Sequence, residues 1–259
     1  MQSINKHWRV LVGVGAMLCL CAAVDAEPSS KQRVQAFAKL PDWTGMWEPQ
    51  ELNSGASGKA KPGTTPFQVT SPMVTTPVSY RPEWLQKAAT VIRGKQASGP
   101  RCIFGFPSVM ASQLMFQVFI APEETALIFS GREVRHVYTD GRAHPKPEDL
   151  WETPWGDSIG HWEGETLVID TVAAESLEGG GVTGSRFSNK AHFVERIRMI
   201  DKNRLENKMI VDDPEALAQP WELTINYKRV TDIDRMVDED CIGNERNFMA
   251  DGKQGVVVK

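Results

Sequence analysis

AHFVERIRMI (191–200), DKN (201–203) and RLENKMIV (204–211) decide the fold. Both longer runs alternate at a period of two and carry β-branched residues, and three turn-forming residues join them, so they read as an antiparallel hairpin. In the first run Phe193, Glu195, Ile197 and Met199 share one face, and His192, Val194, Arg196 and Arg198 share the other. Neither face is purely apolar, which is the pattern of a barrel whose interior holds polar groups beside its core.

Outward from this hairpin, Thr125–Ser130, Glu133–Thr139, Glu165–Ala173 and Glu222–Val230 repeat the alternation, with turn-like joins at Gly131-Arg132, Asp140-Gly141 and Glu163-Gly164. Joins this short make sequential strands antiparallel, because parallel pairs need long crossovers. The expected fold is mainly β: an antiparallel meander closing into a barrel or half-barrel, which removes exposed edges, with one or two short helices. A first strand is expected within Trp43–Trp47, and 53–66, rich in Gly, Ser, Lys and Pro, as a loop. A helix is expected from Pro82 to about Lys95, with Trp84, Leu85, Ala88, Val91 and Ile92 on one face.

The first 26 residues have the layout of a cleavable secretory signal: Lys6, His7 and Arg9, an apolar run from Val10 to Ala23, then Val24-Asp25-Ala26 at the cut. That run is shorter than the roughly 20 residues a membrane span needs. The expected division is a signal peptide at 1–26, a flexible or helical arm at 27–40, and one β-rich domain at 41–259, periplasmic or secreted. A net charge of −4 with no basic run argues against a nucleic-acid partner. Cys102 and Cys241 remain after cleavage, and in an oxidising compartment they are expected to form one disulfide, worth about 2–4 kcal/mol; two separate buried thiols are the alternative.

Two stretches, DGRAHP (140–145) preceded by Arg135, and SIGHWEGETLVIDT (158–171), resemble the signatures of a large group of exported, mostly uncharacterised bacterial proteins. Members of that group read DGRxHP followed by GxSxGxWEGDTLVVDT. The likeness continues through Glu195-Arg196, Asp213-Pro214 and Pro220-Trp221 to Cys241, with Asn244, Arg246 and Asn247. This chain departs from the pattern at Glu165, where the group has Asp, in the loop flanking Asp157-Ser158, and at Gly179-Gly180-Gly181. The resemblance marks residues and implies no particular activity. Gly45-Met46-Trp47 also resembles the Gly-x-Trp that opens the first strand of lipocalin-like barrels; Trp47 by itself reads as a buried aromatic closing one end of the core.

The candidate site residues lie in two turns that a meander brings to one barrel mouth, where ligands and catalytic groups collect. His144, held by Pro145, is a candidate proton carrier at neutral pH, with Asp140 or Glu163 as carboxylate partner and Arg142 stabilising negative charge. Glu163 beside the ring of Trp162 is expected to have a raised pKa through desolvation. Trp162, Ser158, His161 and Arg196 are candidate ligand contacts. Glu195 and Arg196 project to opposite faces, so only one lines the interior. His144, His161 and His192 lack a short metal-ligand spacing, Asp157-Ser158 lacks the setting of a nucleophile elbow, and no phosphate-binding loop occurs, so neither metal nor cofactor is expected. The leading reading is a barrel binding a small apolar or aromatic molecule. The alternative is a cofactor-independent lyase, isomerase or hydrolase in the same pocket, and the third is a structural or envelope-interaction protein.

Overall fold

The computed structural model describes residues 29–50, 78–84, 105–111, 114–130, 133–175 and 187–236. The expected loop at 53–66, most of the expected helix at 82–95, the join at Gly131-Arg132, and both Cys102 and Cys241 lie outside them; Pro82–Trp84 is helical.

Among the described residues nine strands, β1 (Met46–Pro49), β2 (Phe116–Ile120), β3 (Glu124–Phe129), β4 (Val134–Tyr138), β5 (Asp157–Glu163), β6 (Thr166–Val172), β7 (His192–Asp201), β8 (Arg204–Asp212) and β9 (Trp221–Val230), close a barrel in chain order. The closure runs from Met46 opposite Val230 to Pro49 opposite Tyr227. The protein is thus a mainly-β barrel, as the alternation predicts. β7 and β8 pair from His192 opposite Asp212 to Asp201 opposite Arg204, with the connection at Lys202-Asn203.

One join departs from the meander. β4 and β5 are parallel and meet at a single pair, Tyr138 opposite Ile159. Asp140-Gly141 is therefore no hairpin turn; it opens a crossover over 139–156, the length of about a dozen residues or more that a parallel pair requires. The local chemistry of the turn still holds, since Gly141 has φ +89° and Asp140 accepts a hydrogen bond from the Arg142 backbone N–H. Residues 157–163, which read as a turn, form β5. The sequence reading also left β2 unassigned.

Two glycines permit this join. A Cβ on Gly160 would lie 2.9 Å from both Val137 Cγ1 and Val168 O, and one on Gly156, at φ +69°, would lie 2.6 Å from Val172 O. Bare backbone at Gly160 lets β4 approach β5, and at Gly156 it lets the end of the crossover seat on β6.

The inward face of each strand supplies the core: Phe116 and Val118, Leu127 and Phe129, Val137, Leu167 and Ile169, Phe193 and Ile197, Leu205 and Met209, Leu223, Ile225 and Tyr227 are all buried. The segment 105–111 adds Phe106, Val109, Met110 and Ala111 to the same cluster. Phe106 meets Phe193 edge to face at 4.9 Å, and the Met110 carbonyl accepts from the Tyr227 hydroxyl at 2.9 Å. Trp47 is fully buried, donates through Nε1 to the Trp43 carbonyl at 3.0 Å, and carries the Arg229 guanidinium over its ring at 4.2 Å, so it does close one end of the core.

Residues 30–37 form α1 (Ser30–Phe37), started by a reciprocal capping box between Ser29 and Gln32. The helix buries no residue; Arg33 ties it to Glu123 at 3.0 Å. No described helix is long and apolar enough to cross a membrane.

Candidate functional site

Because β4 and β5 share one pair, the barrel wall is thin there, and the crossover lies over the gap. Between them is a cavity of about 280 Å³, lined by Val134, His136 and Tyr138 from β4, by Pro145, Asp149, Leu150, Trp151, Thr153, Trp155 and Gly156 from the crossover, and by Asp157 and Ser158 from β5. β4 alternates, so Val134, His136 and Tyr138 face this cavity while Arg135 and Val137 are buried on the barrel side. Trp155 is fixed by stacking on Phe129 at 5.5 Å. Trp151, by contrast, is 76% exposed at the cavity.

Beneath Ser158 the cavity floor connects to polar groups inside the barrel. Ser158 Oγ lies 2.8 Å from Thr171 Oγ1 and accepts from Arg135 Nη2 at 3.4 Å. Arg135, fully buried, also donates to Thr171 Oγ1 at 3.0 Å and pairs with Glu195 at 2.5 Å, while its guanidinium lies 4.0 Å over the Phe106 ring. Asn207 Nδ2 donates to the other Glu195 oxygen at 2.7 Å. Glu195 is thus the inward residue of the Glu195-Arg196 pair. A charge removed from water is retained only where an opposite charge and hydrogen bonds meet it, and here Arg135 and Asn207 do so. Burial, followed by the nearby Glu195 charge, pushes the Tyr227 phenol well above its ordinary pKa. The sequence reading missed Arg135 and Asn207 as interior residues. Their signal was phase: each lies in register with buried apolar neighbours, Val137 for one, Leu205 and Met209 for the other.

The candidate residues divide into two groups. At the crossover, His144 bonds Asp157 Oδ1 through Nδ1 at 2.5 Å and Asp170 Oδ1 through Nε2 at 3.0 Å, and His192 Nε2 reaches the same Asp170 oxygen at 2.7 Å. This chain of groups fastens the crossover across β5, β6 and β7. Arg142 forks onto Asp140, with Nη2 at 2.6 Å, and lies 4.0 Å over the Tyr138 ring. That ion-paired hydrogen bond holds the Asp140 carboxyl below its usual range.

Glu163 lies at the other end of β5, six residues or roughly 20 Å from Asp157, with His161 and Trp162 just before it and Arg196 of β7 bonded to it. The candidate residues are therefore not gathered at one point: His144 is held at Asp157, at the start of β5, and Glu163 stands at its end. Glu163 is exposed and bonded to Arg196 at 2.5 Å and His161 at 3.2 Å, so its carboxyl is lowered by Arg196 first and His161 second. The expected upward shift is thus reversed, because Trp162 turns away to pack against Trp43 at 5.2 Å and leaves Glu163 in solvent. Trp162 packs on the core, as an anchor does, and does not line the cavity. Arg196 borders a separate depression of about 410 Å³ on the outside of β7, β8 and β9.

Among the described residues no three His, Cys, Asp or Glu side chains are disposed to hold a metal ion. No protein-family model matches this chain, and no curated protein is significantly similar to it.

Proposed function

We propose that this protein is an exported barrel that binds a small apolar or aromatic molecule in the cavity between β4, β5 and the crossover. The observation that carries the reading is the cavity itself: an indentation of about 280 Å³ walled by Val134, Tyr138, Leu150, Trp151 and Trp155, with a few polar groups at Ser158, Asp157 and His136. Apolar walls with sparse polar contacts are the ordinary make-up of a small-molecule site. An exposed Trp151 on its border supports the reading, since a large aromatic left in water gains by covering a ligand. Export rests on the leader-like layout of 1–26, as does the expected disulfide between Cys102 and Cys241. The same exported group that DGRAHP (140–145) resembles fits this reading.

The test is titration with N-phenyl-1-naphthylamine, a neutral aromatic dye whose emission rises in apolar surroundings. Saturable one-to-one binding is expected, weakened at least several-fold by Trp151→Ala and by Leu150→Arg. Absence of saturable binding, or binding indifferent to both substitutions, overturns the proposal.

A catalytic version of the same site is favoured by one contact, His144 on Asp157, because Asp157 lines the cavity. In that version Asp157 takes a proton from one atom of the bound molecule and returns it to another, with His144 bonded to its Oδ1, while Glu163 is too distant and Arg142 is engaged by Asp140. Chemical change of a bound molecule that stops in His144→Gln would establish it; bound molecules recovered intact would dismiss it.

A further inference from the structure

We infer that the ligand of the crossover cavity is an organic cation, an amine or quaternary ammonium on an aromatic or apolar body; this rests on the cavity being the binding site. Two independent features of the lining converge on that chemistry. The first is charge. Asp149 and Asp157 line the cavity, and among the described lining residues there is no Lys or Arg. The surrounding groups do not reverse this sign. Arg142 is matched by Asp140, and His136 by Glu124. His144 and His192 carry at most one positive charge each and face the carboxylates of Asp157 and Asp170, so that set is at best neutral and Asp149 is left over. The crossover as a whole sets Asp140, Glu148, Asp149 and Glu152 against Arg142 and Lys146. An anionic head would meet repulsion from Asp149 and find no Lys or Arg among the described lining residues, whereas an ammonium would find the Asp149 carboxylate.

The second feature is aromatic. Tyr138, Trp151 and Trp155 all line the same cavity. The face of an aromatic ring is the negative end of its quadrupole and attracts cations, Trp most strongly. One face of Tyr138 already carries the Arg142 guanidinium, 4.0 Å from the ring centre, so Trp151 and Trp155 are the rings chiefly offered to a guest. Ring faces alone accept any apolar molecule, and carboxylates alone are ordinary surface. Their meeting in one indentation, with Trp151 left 76% exposed at its border, selects a positively charged guest with an apolar body.

The experiment is competition against bound N-phenyl-1-naphthylamine by three probes that share a phenyl ring and short chain: phenethylamine, 2-phenylethanol and phenylacetate. The amine is expected to displace the dye at a concentration about ten-fold below the alcohol, with phenylacetate weakest. Because Asp149 and Trp151 are exposed, Asp149→Asn and Trp151→Leu should leave the fold intact while each lowers the amine-to-alcohol ratio several-fold. If the dye binds but the alcohol or phenylacetate equals the amine, or if neither substitution moves the ratio, the cation inference falls and the binding reading stands. If the dye shows no saturable binding, the binding reading and the cation inference fall together.

Discussion

The inside and outside of β7 place two ion pairs side by side. Glu195 and Arg196 are consecutive, and each meets its partner at 2.5 Å, Arg135 for one and Glu163 for the other. The inner pair has no solvent exposure, while the outer side chains are 46% and 49% exposed. Equal distances therefore conceal unequal energetics. Inside, water cannot replace a lost partner, and the remaining charge bears its full desolvation cost; outside, solvent and salt replace it at once.

Glu195→Ala breaks this comparison most sharply, and should destabilise the barrel by about 3–5 kcal/mol in urea or guanidinium unfolding, since it strands Arg135. Arg135→Met with Glu195→Leu should recover most of that loss, because it removes both charges and leaves apolar volume. Failure to recover would mean that packing, not charge burial, sets the cost. Next comes Asn207→Ala, which removes the donor on the second Glu195 oxygen and should cost about 1.5–3 kcal/mol by the same measurement. Tyr227→Phe, which deletes only the hydroxyl donated to the Met110 carbonyl, should cost about 1 kcal/mol.

The smallest effect belongs outside. Glu163→Gln should lower the unfolding midpoint at neutral pH only slightly, because the pair is solvated. Since Arg196 and His161 depress the Glu163 carboxyl, its contribution to stability is present above its ordinary value of 4.5 and is lost as pH falls through the lower folded value. The wild type and Glu163→Gln should therefore differ slightly at neutral pH and converge as the pH falls through the lowered Glu163 value. A large midpoint shift at neutral pH would show that the outer pair is not the solvated contact its exposure implies.

Much of this barrel was legible because alternation survives in linear sequence. The runs at 191–200, 204–211 and 222–230 map onto β7, β8 and β9, and the opposed faces of Glu195 and Arg196 follow from the pleat alone. Asp140-Gly141 misled because its local chemistry suits a hairpin and a crossover start equally well; the pairing of Tyr138 with Ile159 is a non-local event. Residues 157–163 were obscured because they lie between Gly156 and the turn-like Glu163-Gly164, with Gly160 among them. Two of these glycines in fact serve close backbone approach. The candidate site was half legible. His144 and Ser158 do lie at or beside the cavity, but Trp151 and Trp155 gave no periodic signal in an irregular segment, and Glu163 was assigned an environment that only its neighbours could determine.

The sequence by itself determined the class of the fold, the inward and outward faces of most strands, and the polar character of the interior, because each depends on residue type at a spacing of two. Tertiary structure alone decided that Arg135 meets Glu195 across sixty residues, that His144 is fastened to Asp157 and Asp170, and that Glu163 stands the length of β5 away from Asp157. The physical reason is register and crossover geometry: which side chains meet across a closed sheet depends on pairings between strands far apart in the chain, and no local propensity encodes those pairings.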